Sequence, residues 1–276
     1  MNARGHNRFD VAAARRRCKA YRRRILDISQ TVGALHIAPA FSCLEIVDVV
    51  YHGLMRKGDD GADVDRFLMS KGHGCMAQYA ILEDLGVLDE RELALYCKPG
   101  GRLGAHPDYG VPGIEASTGS LGHGLGMAAG MAYADKLQNI ESVIYCLVGD
   151  GEMQEGSIWE AVMMAPNLGL GGLVAILDFN DYQGLGRTTE THPHFLPMTD
   201  KVRSFGWETA NVNGHDAAAV HAAIAGRAGD RPFFLVCNTV KGKGVSFMEN
   251  MPIWHYRAPN PEEYRQAVGK LTEVSA

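Results

Sequence analysis

SVIYCLVGDGEMQEGSIWEAVMMAPNLGLGGLVAILDFN, residues 142–180, holds two apolar runs that each stop on a polar residue, with a helix-length segment between them. Ser142 to Val148 ends at Gly149-Asp150-Gly151, and Leu173 to Phe179 ends at Asn180. Runs this apolar and this short predict strands covered on both faces, and Gly156 to Leu168 predicts the helix that joins them. Asp150 and Asn180 then both emerge at carboxyl ends of strands, where open α/β sheets bind ligands. An aspartate between two glycines can be approached closely by a bulky anion, because neither neighbour has a β-carbon. Carboxylate and amide oxygens are hard ligands for magnesium or calcium, and such a dication commonly bridges to phosphate oxygens. The guest these residues fit is a metal diphosphate.

Outward from that unit the alternation continues. Arg66 to Ser70 predicts a strand, Ser70 to Gly74 a glycine-rich turn and Cys75 to Leu85 a helix. A glycine-rich turn at Ser117 leads into a small-residue helix through Met127 to Leu137, and Glu208 to Val212 and Phe233 to Val240 predict strands around a helix at Asp216 to Arg227. Pro99 to Gly113, rich in proline and glycine, predicts a loop. Ser42-Cys43-Leu44-Glu45 has the pattern of a capping box and places the start of a helix there, running to Met55. The fold class expected is α/β, a parallel β-sheet flanked by helices on both faces. No repeat or linker divides the chain, so residues 1–276 are expected to form a single domain with a basic N-terminal helix over 10–30.

With 276 residues, 46% of them hydrophobic and 21% charged, the chain can bury a full core and lies outside the range of disordered sequences. Its uninterrupted apolar runs, such as Val143 to Val148, are far shorter than the roughly 20 residues that span a bilayer, so no membrane segment is expected. The six cysteines stand singly, without a Cys-x-x-Cys pair, and residues 1–24 hold no apolar signal stretch; a reducing cytoplasm is the expected compartment. Net charge is −5, yet residues 1–24 carry eight arginines and Lys19 against Asp10 alone, which leaves −13 on the rest. Such an arm could contact nucleic acid. Ala14, Cys18, Tyr21, Ile25 and Ile28 instead mark an amphipathic helix with a solvated arginine face, and no nucleic-acid module accompanies it.

Alone, Gly-Asp-Gly carries little, since composition yields roughly 0.2 chance occurrences in a chain like this. In context, with a strand before it, a helix after it and the 28 residues 152–179 leading to Asn180, it forms the thiamine-diphosphate motif. Together with SKGHG (70–74), GAHPD (104–108), STGSLGHGLG (117–126), LDFN (177–180), VKGKGVSFMEN (240–250) and Trp254-His255, the chain resembles the N-terminal, diphosphate-binding portion of transketolase. It looks most like the stand-alone N-terminal subunits of split transketolases, over about His36 to Asn260.

The resemblance implies the thiamine-diphosphate-binding fold, with Mg2+ (or Ca2+) held by the side chains of Asp150 and Asn180 and the main-chain oxygen of Tyr182. It implies that Gly151 lies against the diphosphate, that Gly119, Leu121, His73 and His255 contact the cofactor, and that His36 and His106 face the donor sugar. Glu155 matches the glutamate of a proton-carrying network between two active sites. Independently of that likeness, cleaving a ketose carbon–carbon bond needs donors to a developing alkoxide and an acceptor for a hydroxyl proton. Imidazole, with a pKa near 6.5, suits both. The activity implied is transfer of a two-carbon ketol unit from a ketose donor to an aldose acceptor. The implied partner is a C-terminal subunit with the pyrimidine-binding domain, in an α2β2 assembly.

Other features read as ordinary structure: His192 and His194 as loop residues, Lys241 and Lys243 as solvated lysines rather than a phosphate clamp, and His123 as a polar spacer. Two departures from the family pattern flank expected substrate histidines. Small residues are usual after the first histidine, where this chain has Ile37-Ala38-Pro39-Ala40-Phe41, and glycine is frequent where Tyr256 stands. Phe41 and Tyr256 are therefore expected beside the donor pocket, filling it, with Phe41 packed under a helix and Tyr256 turned to solvent as the competing expectation. A deoxyxylulose-phosphate synthase-like or 2-oxo acid dehydrogenase-like chain, or a non-catalytic assembly chain, are the alternatives. SKGHG followed by GAHPD favours transketolase over both enzymes, and intact Asp150, Asn180 and Glu155 disfavour the last.

Overall fold

A computed structural model describes residues 9–33, 35–58, 61, 63–184 and 186–273; the two ends of the expected 1–276 domain lie outside them. In chain order, α1 (Val11–Ser29) and α2 (Ile37–Val49) precede β1 (Arg66–Met69), α3 (Cys75–Asp84) and α4 (Glu90–Ala94). Then come α5 (Gly124–Leu137), β2 (Ile144–Gly149), α6 (Gly156–Asn167) and β3 (Leu173–Phe179). A short ribbon of β4 (Tyr182–Gln183) and β5 (Gly186–Arg187) leads to α7 (Thr188–Thr191), α8 (Met198–Ser204), β6 (Glu208–Asn213), α9 (Ala217–Ala225), β7 (Phe233–Asn238) and α10 (Pro261–Glu273).

Five strands pair in the order β1-β2-β3-β7-β6, all parallel, as the alternation of strands and helices predicts. Side chains alternate across the sheet. Tyr145, Leu147, Val174 and Ile176 point into the core that holds α1, α2, α3 and α9, while Ile144, Cys146, Val148, Leu173, Ala175 and Leu177 point into the core that holds α5, α6 and α8. Both faces are therefore covered, which is why β2 and β3 are apolar at nearly every position. Gly149 lies opposite Asp178 in the ladder, so β2 and β3 end side by side.

α2 departs from the sequence expectation. It starts at Ile37, with His36 as N-cap, and continues after Val49 through a π-helical turn, Val50–Leu54. Pro39 fits because the first turn has no intrahelical partner for the missing N–H. Ser42 is not a cap: its hydroxyl lies 2.9 Å from the Pro39 carbonyl and 2.6 Å from Asp178 Oδ2, inside the helix. A Ser-x-x-Glu pattern has the same spacing in a helix interior as at a start, and here Glu45 is claimed by Arg22 instead. Ile37–Leu54 is the one helix among the described residues long and apolar enough to cross a membrane, a length hidden in sequence by Ser42, Glu45 and Asp48; 72% of it is buried in this fold.

The arginine face of α1 is also less solvated than expected. The stripe Ala14, Cys18, Tyr21, Ile25, Ile28 is buried as its spacing requires, and Arg15 and Arg16 are exposed. Arg17, Arg22 and Arg24, however, reach Asp48, Glu45 and Glu83 and tie α1 to α2 and α3. Arg22 is only 6% exposed, and its guanidinium also donates to the carbonyls of Phe41 and Lys243.

Candidate active site

The carboxyl ends of β2 and β3 present two side-chain oxygen donors, on Asp150 and Asn180. Asp150 Oδ1 accepts from the Gly151 N–H at 2.9 Å, while its Oδ2 is buried with no hydrogen-bond partner among the described residues. Burial, with Asp178 nearby, pushes the Asp150 carboxyl up to about 7, against the pull of the Gly151 N–H, Lys71 and Lys241. A buried oxygen left open in this way is costly unless a ligand takes it. Asn180 Oδ1 accepts from the Tyr182 N–H at 3.0 Å, closing a turn through Asp181, whose φ is +63°. That turn brings the backbone of Tyr182 back beside the strand end. The carboxylate and amide oxygens of Asp150 and Asn180 are hard donors of the kind that fit magnesium or calcium. The set contains one acidic side chain, and among the described residues no group of three or more His, Cys, Asp or Glu is placed to hold a metal.

Beneath the strand ends lies a buried network to which the sequence assigned no role. Lys71 of SKGHG forms an ion pair with Asp178, and the hydroxyls of Ser42 and Thr239 also meet that carboxylate. Glu152, pushed up by burial, accepts from the Gly122 N–H at 2.9 Å, the Gly149 N–H at 3.1 Å and the Ser70 hydroxyl. One side chain thus joins three of the sequence blocks. The available signal was Asp178 itself, a charge inside an otherwise apolar strand.

Four histidines converge in front of this floor. The His36 ring centroid lies 5.8 Å from that of His73, 5.6 Å from His106 and 5.4 Å from His255, and His73 and His255 are 5.4 Å apart. Residues 36, 73, 106 and 255, far apart in sequence, form one cluster. Gly119 makes room for it: its φ is +126°, and a β-carbon there would stand 2.7 Å from His106 Cγ. Gly72 packs likewise, since its β-carbon would meet the Gly119 nitrogen at 2.7 Å. Burial and the neighbouring His255, His106 and lysines pull His36 down to about 3; burial, Lys241 and Lys71 pull His255 down to about 4. His73 is also lowered well below the usual imidazole range, by burial and Lys71. These three rings are neutral at neutral pH, and His36 Nδ1 is buried without a partner among the described residues.

The remaining expected residues separate into those at the cluster and those away from it. Lys241 overturns its reading as a solvated lysine: it is 1% exposed, and burial with the neighbouring Lys71 pulls it down to about 8. Lys243 is partly exposed and pairs with Glu249. Gly151 lies against Gln183, whose Cβ would be 3.1 Å from an added β-carbon. Leu121 is half-buried, and Glu155 stands exposed as the N-cap of α6, outside the histidine cluster. His123 stands at the N-cap position of α5 without a side-chain cap bond, and His192 and His194 are exposed loop residues. Phe41 does not line the pocket; it is fully buried, with the Arg22 guanidinium 5.8 Å from its ring centroid, so the expectation that it fills the donor site is overturned by the early start of α2. Tyr256 does reach the cluster, its ring centroid 4.5 Å from that of His36.

Known proteins are similar to this chain in sequence and in fold. The chain is 38% identical over 257 residues to an apulose-4-phosphate transketolase subunit from Phocaeicola vulgatus, covering 91% of each. It is 36% identical over 251 residues to a 6-deoxy-6-sulfo-D-fructose transketolase subunit from a Clostridium species, covering 89% of this chain and 91% of that one. The solved transketolase from Leishmania mexicana superposes with a TM-score of 0.86 at 26% identity over 95% of this chain, which spans 42% of that longer protein. The family described as "Transketolase, thiamine diphosphate binding domain" matches residues 13–270, a span that contains both strand ends and all four histidines, and the chain belongs to that family.

Proposed function

We propose that this chain is the diphosphate-binding subunit of a two-chain transketolase, in which a second subunit carries the pyrimidine-binding domain and the pair transfers a two-carbon ketol unit from a ketose to an aldose. Two relatives matched along 91% of their length are named transketolase subunits, and the chain corresponds to 42% of a one-chain transketolase. An α2β2 assembly with sites between subunits is part of this proposal, and the subunit names of those relatives support a partner chain. The cysteines of the described residues are all free, which suits a reducing, cytoplasmic setting.

The observation that carries the reading is the open Oδ2 of Asp150 at a strand end beside Asn180. Asp150, Asn180 and the Tyr182 main-chain oxygen would hold Mg2+ or Ca2+, and Gly151, Gly119, Leu121, His73, His255 and Lys241 would receive the cofactor. When bound, thiamine diphosphate would supply a carbon nucleophile for the donor carbonyl. His36, His73, His106 and His255 would donate N–H groups to the oxygen that gains charge, and an imidazole would take the hydroxyl proton as the carbon bond breaks. Glu155, exposed at the start of α6, is available to a neighbouring subunit for the proton network.

Calorimetry of the assembled complex with thiamine diphosphate and Mg2+ tests this. Asp150→Ala is expected to abolish metal-dependent binding with the circular dichroism spectrum unchanged, and undiminished affinity would move the metal elsewhere. Transfer by this chain without its partner would refute the two-subunit reading.

A further inference from the structure

We propose that Tyr256 is a specificity-determining residue that restricts the donor pocket to short ketol donors; this rests on the transketolase reading above. Tyr256 follows the 3-10 turn Pro252–His255, which delivers His255 to the cluster and carries Tyr256 with it. Its ring lies at 44° to that of His36 with centroids 4.5 Å apart, closer to His36 than any of the three other histidine rings. The phenol is nevertheless 53% exposed, so its ring is not sequestered in the core: it meets His36 and also faces solvent. No hydrogen bond from its hydroxyl is present among the described residues, so the ring acts through its volume.

The consequence concerns length. A donor whose carbonyl reaches the histidine cluster must extend its distal carbons back toward the mouth, and the aromatic ring beside His36 occupies space there. Phe41, the other bulky residue of this region, is fully buried beneath Arg22 and takes no part. A three-carbon 2-oxo acid ends before it meets such a ring. A five- or six-carbon ketose phosphate does not.

Tyr256→Ala and Tyr256→Phe in the assembled complex separate volume from the hydroxyl, with kcat/KM measured for hydroxypyruvate and for xylulose 5-phosphate. Tyr256→Ala is expected to raise the ratio for the sugar phosphate over the oxo acid by roughly tenfold or more, the scale of one hydrophobic contact in a specificity pocket. Tyr256→Phe is expected to leave it within about twofold, because the phenyl ring keeps the volume. Thiamine-diphosphate affinity, measured by calorimetry, stays at the wild-type value in both. An unchanged ratio in the alanine variant, with transfer and cofactor binding intact, overturns the role of Tyr256 alone. A wild-type complex that binds the cofactor but transfers from neither donor overturns the transketolase reading, and this proposal with it.

Discussion

Lys241 Nζ lies 2.8 Å from His255 Nδ1, and both groups are depressed below their ordinary pKa values. An ammonium can only donate, so this contact makes Nδ1 the acceptor and leaves the His255 proton on Nε2. The lysine thereby fixes which ring nitrogen carries the proton. Its charge is buried near Lys71, a like charge, an arrangement that favours an anionic ligand. Lys241→Met is expected to weaken thiamine-diphosphate binding by roughly tenfold to a hundredfold, the loss of one charge-assisted hydrogen bond. The ligand-free variant should melt no lower than wild type, because the buried ammonium is a cost there. Calorimetry and thermal melts read the two effects separately, and a fall in both would mark Lys241 as structural.

Lys71 and Asp178 are both fully buried and paired. Removing one partner leaves the other charge uncompensated, so Lys71→Met is expected to cost about 3–5 kcal/mol in urea unfolding. Replacing both, as Lys71→Met with Asp178→Leu, should recover most of that loss. A double variant as unstable as the single one would show that the hydroxyls of Ser42 and Thr239, rather than the ion pair, hold this floor together.

Two glycines should respond with opposite signs. Gly119→Ala forces a β-carbon against His106 at a positive φ and is expected to lose about 1–3 kcal/mol. Gly130, inside α5, has open space around its missing β-carbon, and Gly130→Ala is expected to gain about 0.4–1 kcal/mol. Denaturant midpoints at constant slope measure both.

Acid stability has an identifiable contributor. Burial alone would raise Glu45, but Arg22 and His215 outweigh it and hold its carboxyl down at about 2. In the unfolded chain the same carboxyl titrates near its ordinary value of 4.5, so the unfolded state takes up the proton first as pH falls. The stabilisation is complete above about pH 4.5 and is lost as pH drops toward about 2. Glu45→Gln is expected to cost about 3 kcal/mol at pH 7 and to flatten the acid limb of the stability curve. Urea melts between about pH 3 and 7 check it; an acid limb as steep in the variant would assign the effect to other groups.

Much of the fold was legible because β2, α6 and β3 are local, periodic elements whose patterns meet no competitor. The helix predicted over Gly156 to Leu168 is observed as Gly156–Asn167, and the strand at Leu173–Phe179 coincides with its prediction. α2 was misplaced because capping chemistry and helix-interior back-bonding share one spacing, and only the approach of Asp178 and Arg22 decides between them. The solvated arginine face that periodicity predicts for α1 fails for a similar reason: Asp48, Glu45 and Glu83 belong to other helices, and periodicity within α1 says nothing of them.

By itself the sequence determined the parallel α/β order, the emergence of Asp150 and Asn180 at strand ends, and the family, since each depends on short-range pattern or on blocks in a set order. Tertiary structure alone decided that four histidines separated by up to 219 positions share one cluster (from 36 to 255). It alone showed that Asp150 Oδ2 is left open, that Lys241 is buried against His255, and that Tyr256 rather than Phe41 meets His36. Those outcomes depend on which chain segments pack side by side and how deeply, and burial and long-range contact are properties of the folded chain that spacing along the sequence does not encode.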